Sequence, residues 1–163
     1  MIVADENVFP NNVVELIAMR SQLLDEDLYV TKRPLRNTDP NQSVGVFGAL
    51  WTPDDRSKEM LGQAFAVQPV LSRYTITVQA FVKDMDEVRG LNTHAVLSRM
   101  LRSMLYTDNP LRVALSQLSS VLGGVTERSQ QWGITQQRFF ANELGGEWLY
   151  LSTLEFWLET ETR

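Results

Sequence analysis

The sequence contains no cysteine and a single histidine, His94. The first absence excludes a disulfide scaffold, a thiolate zinc site and a cysteine nucleophile. The second removes most histidine-dependent metal and acid–base sites. Lysine is also scarce, confined to Lys32, Lys58 and Lys83, so arginine carries most of the positive charge. Arginine enrichment suits protein interfaces through planar, multidentate hydrogen bonding, and a GC-rich coding genome produces the same bias. No apolar run approaches bilayer-spanning length, so no membrane partner is expected. Met1 to Asn12 carries Asp5, Glu6 and Pro10 where a secretory leader needs a positive start and an apolar core. The expectation is a chain that begins in a cytoplasm.

What remains is the composition of an ordinary globular protein. The 163 residues are 44% hydrophobic and 21% charged, which fits one domain over 1–163 with enough apolar material for a core. Fifteen basic residues face 20 acidic ones, a formal net charge of −5. That balance disfavours a sequence-independent grip on DNA or anionic lipid, which needs clustered positive charge.

Along the chain, Asn11 and Asn12 can cap a helix whose apolar positions Val13, Leu16, Ile17, Leu23 and Leu24 follow helical spacing. Leu28 to Lys32 reads as a short strand, and Arg33 to Gln42, with Pro34 and Pro40, as a loop. Ser43 to Trp51 reads as a second strand weakened by Gly45 and Gly48. A long connection, 52–72, follows; connections of that length are usually functional or mobile. Arg73 to Lys83 alternates with period two and is the clearest strand. Asp84 to Gly90 reads as a turn, after which Asn92 or Thr93 caps a helix with Val96, Leu97, Met100, Leu101, Met104 and Leu105 in one stripe. Asn109-Pro110 opens a further helix, read through Leu122 and stopped by Gly123-Gly124. Val125 to Phe140 and Glu147 to Thr160 form a closing hairpin. The order predicts an α+β fold with a mostly antiparallel sheet of about five strands, an N-terminal helix and a central helix pair.

Catalytic motifs are absent. Asp84, Asp86 and Glu87 lack the spacing and glycine turn of a calcium loop and read as a solvated turn before a helix. A small metal-dependent hydrolase built on those three remains the enzymatic alternative. His94 reads as a surface residue of a helix's first turn, and no serine sits in a glycine-flanked elbow. Neither glycine pair forms a phosphate loop. No catalytic, metal or cofactor site is expected.

The return strand is apolar on both faces: Trp148, Tyr150, Leu154, Phe156 and Leu158 alternate with Leu149, Leu151 and Trp157. Each large side chain left in water forgoes about 1.5–3 kcal/mol of burial energy. The central helices can cover one face. The other needs the N-terminal helix or a neighbouring subunit.

Taken together, RYTITVQAFVKDMDEVRG, a helix pair broken by TDNPL, and the GGVTERSQQWGITQQRFF and GGEWLYLSTLEFWLETET hairpin resemble the tail terminator (tail completion) family of long-tailed bacteriophages, over about Ser72 to Thr160. Head-completion and stopper proteins of the phage neck share similar patterns, and a cellular adaptor is a further alternative. The resemblance implies a hexameric ring that stops tail-tube polymerisation and offers the surface to which the filled head attaches. It also implies a virion location after assembly in the host cytoplasm. Implied partners are further copies of the chain, the tail tube protein, the head–tail connector or stopper, and genomic DNA passing through the lumen without specific binding. Six copies would carry about −30, a charge that repels phosphates. Trp132, Phe139, Phe140, Trp148 and Trp157 are the expected subunit-interface residues; Arg33, Arg36, Trp51, Asp54, Asp55 and Arg56 are the expected axial contacts.

Overall fold

Period-two alternation in the last third of the chain and helical stripes before it set the architecture. A computed structural model describes residues 8–53, 70–122 and 125–162. Helix α1 (Val8–Gln22) precedes strands β1 (Tyr29–Thr31), β2 (Ser43–Pro53) and β3 (Val70–Asp84). Helices α2 (Glu87–Thr107) and α3 (Asn109–Gln117) follow, and then β4 (Ser119–Leu122), β5 (Val125–Leu144) and β6 (Glu147–Thr162). The strands form one six-stranded sheet in the order β1-β2-β3-β6-β5-β4. Among the described residues only the β1–β2 pairing is parallel.

This is the expected α+β fold, with differences at the element ends. The sixth strand, β4, occupies Ser119–Leu122, which the leucine spacing assigned to the last helix. That helix ends instead at Gln117, and Gly123-Gly124 lies outside the described residues. Helix α1 begins at Val8, upstream of the predicted asparagine cap. Strands β2 and β3 extend into both ends of the predicted 52–72 connection, and 54–69 lies outside the described residues.

Helix α2 starts six or seven residues earlier than the expected cap at Asn92 or Thr93. Asp86 is the N-cap, its carboxylate accepting from the Arg89 backbone N–H at 2.9 Å. Arg89 in turn donates to Asp84 at 2.7 and 2.8 Å. The stripe itself is displaced: Val96 is 57% exposed, and the buried face is Gly90, His94, Leu97, Ser98, Leu101, Met104 and Leu105. Gly90 is there because a Cβ would lie 2.7 Å from Tyr150 Cε2 and 2.9 Å from Asp84 Cβ. The Tyr150 ring cannot yield easily, since it is buried and its hydroxyl donates to the Glu87 carbonyl at 2.6 Å. Gly→Ala in a helix ordinarily stabilises by about 1 kcal/mol. Gly90→Ala is expected to do the reverse, destabilising by about 1–3 kcal/mol in urea melts.

All three described helices pack on the same face of the sheet. The core joins Val13 and Ile17 of α1, Leu101 and Leu105 of α2, and Leu111 and Leu115 of α3 to Val46, Ile76, Val78, Leu154, Phe156 and Leu158. The N-terminal helix therefore does not cover the second face, one of the two covers the sequence left open. Arg20 of α1 fixes this layer by a two-pronged bond to Asp108 at 2.5 and 2.9 Å. Asp108 is also the residue before α3, yet its side chain makes no capping bond there because Arg20 holds it.

Candidate functional site

No helix among the described residues lies on the second face of the sheet, and the residues there decide what it can bind. In β6 this face carries Leu149, Leu151, Thr153, Glu155, Trp157 and Glu159. The cross-strand partners of Leu149, Leu151 and Trp157 in β5 are Asn142, Phe140 and Gly133. Two register shifts, at Ser129/Gln131 and Ile134/Gln136, put Trp132, Ile134 and Phe139 opposite Leu158, Phe156 and Ser152 of the helix-covered face, and Phe140 opposite Leu151. Simple alternation misses such bulges. Of the five expected interface residues, Phe140 and Trp157 thus share the open face. Trp132, Phe139 and Trp148 belong to the helix side, with Trp132 half-buried against the core.

Gly133, which interrupts β5 in the sequence, is a site of close approach. Its Cβ position lies 3.0–3.1 Å from the Trp157 indole, so the ring lies across the glycine backbone. Arg73 stacks on the other side, its guanidinium carbon 4.7 Å from the indole centroid. Gln131 donates to Glu159 at 3.0 Å at the edge of this cluster. At the opposite end, Leu35, Phe81, Phe140, Leu149 and Leu151 line a shallow depression of about 160 Å³. The loop after β1 closes over part of it. Leu35 N–H donates to Gln79 at 2.9 Å, and a Cβ on Gly45 would meet the Arg33 carbonyl at 2.8 Å.

The hairpin end projects further. Phe139, Phe140 and Leu144 are 50%, 58% and 56% exposed. Because β4 pairs only with Val125–Arg128, and Ser129 N–H donates to the Leu118 carbonyl just before β4, residues 130–144 of β5 are the part with strand pairing on one side alone among the described residues.

The expected axial residues are less unified. Arg33 is engaged by Asp39 at 2.6 and 3.1 Å, and Arg36 donates its backbone N–H to the same carboxylate at 2.6 Å. These bonds, Arg33 foremost, hold the Asp39 pKa below its ordinary value. Trp51 pairs with Tyr74 in the β2–β3 ladder; Asp54, Asp55 and Arg56 lie outside the described residues. The acidic group has local tasks, since Asp84 binds Arg89 and Asp86 caps α2. Among the described residues no group of three His, Asp or Glu side chains could hold a metal ion.

His94 is not a surface residue, as its helix position suggested. It is 4% exposed and packs against the stacked Phe139 and Tyr150 rings, with ring centroids 5.1 and 6.2 Å away. Its Nε2 is 3.4 Å from Ser98 Oγ, which is 3.0 Å from Ser152 Oγ. The miss arose from the wrong helix start, which left the buried stripe out of phase. Burial lowers its pKa from 6.5, opposed by a backbone hydrogen bond with Ala80. The unfolded chain therefore takes up a proton as pH falls through about 6.5, before the native state does. Stability is full above that pH and is lost below it, toward the depressed native value. Asp39 and Asp84, both lowered from 3.8 with arginine hydrogen bonds as the leading cause, act only in more acidic solution. Melting temperature is expected to fall as pH drops from 7 to 5.5, and His94→Gln to flatten that slope.

No protein-family model and no curated protein sequence matches the chain. Among solved structures, the chain is similar to one from the virion of a native gene transfer agent particle, at 8% identity and a TM-score of 0.51. The alignment covers 94% of this chain and 98% of that one. A second solved chain aligns at 11% identity and a TM-score of 0.45, covering 99% and 97%. At such identities, the first match shows a shared fold.

Proposed function

We propose that this chain is a non-enzymatic structural protein of a phage-like virion, and that copies of it form a hexameric ring capping the tail tube. Capping means that one ring face matches the last tube ring and the other recruits no further tube subunit, leaving a surface for head attachment. The observation that carries the reading is the one-sided helix layer. With α1, α2 and α3 all on one face, Phe140, Leu149, Leu151 and Trp157 have no helix above them among the described residues. A neighbouring subunit is the cover that a closed ring of head-to-tail contacts supplies. The shared fold with a gene transfer agent virion chain agrees with this reading, as does the sequence resemblance to tail terminators.

The test is to mix the purified chain with isolated tail tubes and, separately, with isolated head–tail connectors, and to image both by negative stain. Rings at one end of the tubes, with a native mass of six subunits, are expected. Binding to connectors alone would move the chain to a stopper position in the neck. Binding to neither would overturn the virion reading.

A further inference from the structure

Helices α1 and α2 leave between them a groove of about 520 Å³. Leu24, Met100 and Met104 give it an apolar floor, and Arg20 and Arg99 stand along it. Arg20 is held by Asp108, whereas the exposed Arg99 makes no side-chain hydrogen bond or ion pair among the described residues. Leu23 is largely exposed at its mouth. An apolar channel beside a free guanidinium suits a projecting apolar side chain flanked by carboxylates.

The hairpin tip has that composition. Glu143 and Glu147 bracket Leu144, Gly145 and Gly146, and both glycines have positive φ, 62° and 85°. This is the tight turn that a two-residue hairpin loop requires. Leu144 projects into solvent. Neither glutamate has a side-chain hydrogen bond or ion pair among the described residues. Asp84, Asp86 and Glu87 lie at the same end of the sheet, since Asp84 pairs with Trp148. The tip thus carries two glutamates unpaired among the described residues and one exposed leucine beside its glycine turn.

We infer that the hairpin tip of one copy seats in the α1–α2 groove of the next, Leu144 on the methionine floor and Glu143 or Glu147 against Arg99. Asp25, Glu26 and Asp27 follow Leu24 at the α1 end, so attraction is concentrated on the Arg99 side and the tip has one favoured orientation. The two patches differ, which makes the contact head-to-tail and lets it close into a ring. This contact rests on the ring reading and adds a second pair of joining surfaces to the open sheet face.

The absence of native cysteine allows a direct test. One copy carries Leu144→Cys, a second of different mass carries Met100→Cys, and the mixture is oxidised mildly. The mixed disulfide is expected about tenfold above that formed between Leu144→Cys and a Val113→Cys control on the exposed face of α3. Adding Arg99→Glu to the Met100→Cys copy should remove the excess; Glu143→Arg with Glu147→Arg in the other copy should restore it. Yield at the control level, or no response to Arg99→Glu, would overturn the groove contact. Imaging on tail tubes separates the two ideas. Rings formed normally by the Arg99→Glu chain leave the ring and remove this contact, while a charge-dependent cross-link without rings keeps the contact and removes the ring.

Discussion

Replacing Phe156, the largest fully buried side chain among the described residues, with alanine is expected to cost about 3–5 kcal/mol. Phe156 is fully buried on β6, opposite Ile76 of β3 on one side and Ile134 of β5 on the other. Its ring faces the layer that contains Leu101, Leu105, Leu111 and Leu115. Truncation leaves a void between sheet and helices that close-packed neighbours fill only partly. For a chain of this length the melting temperature should drop by about 10 °C. Thermal and urea melts check it: the urea midpoint should fall with an unchanged slope, and a changed slope would mean loss of two-state unfolding.

The opposite face should respond in the opposite way. Phe140→Asp is expected to leave the isolated subunit within about 0.5 kcal/mol of its original stability, because the side chain is already largely exposed. Assembly should suffer far more. A buried aromatic at the centre of an interface is worth about 2 kcal/mol or more, close to a thirtyfold change in association. A charge beside Leu35, Leu149 and Leu151 would also stay desolvated in the assembled state. Native mass and tail-tube decoration, measured beside a melt, separate the two effects: unchanged folding with lost rings is expected. Rings that persist undiminished would remove the open face from the interface.

The fold was legible where periodicity was long and uninterrupted. Tyr74, Ile76, Val78, Ala80 and Val82 line the covered face as their alternation indicates, and the two faces of β6 separate as read. Legibility failed where one residue changes the phase. The shift at Ile134/Gln136 puts Phe139, and not Phe140, on the face of Trp132 and Ile134, and nothing in a glutamine-rich stretch marks where the extra residue falls. In α2, Asp86 caps a turn that carries exposed Val88 and Leu91, so the apolar stripe alone pointed too far downstream. Asp86 as a cap residue, followed by Glu87 in the first turn, was the available signal. Ser119–Leu122 pairs with β5 although its residues extend a leucine repeat, a case of tertiary pairing outweighing local pattern. The groove between α1 and α2 was not legible at all, because it depends on how two helices distant in sequence lie on one sheet.

The half-paired β5 has a consequence for behaviour at high concentration. Bare ribbons of this length invite runaway strand addition between molecules. Here the ladder is kinked twice, at Ser129/Gln131 and Ile134/Gln136, just past the point where β4 stops. A stray strand meets a twisted rail there and not a flat template. At high concentration, unassembled copies are thereby steered away from fibrous by-products.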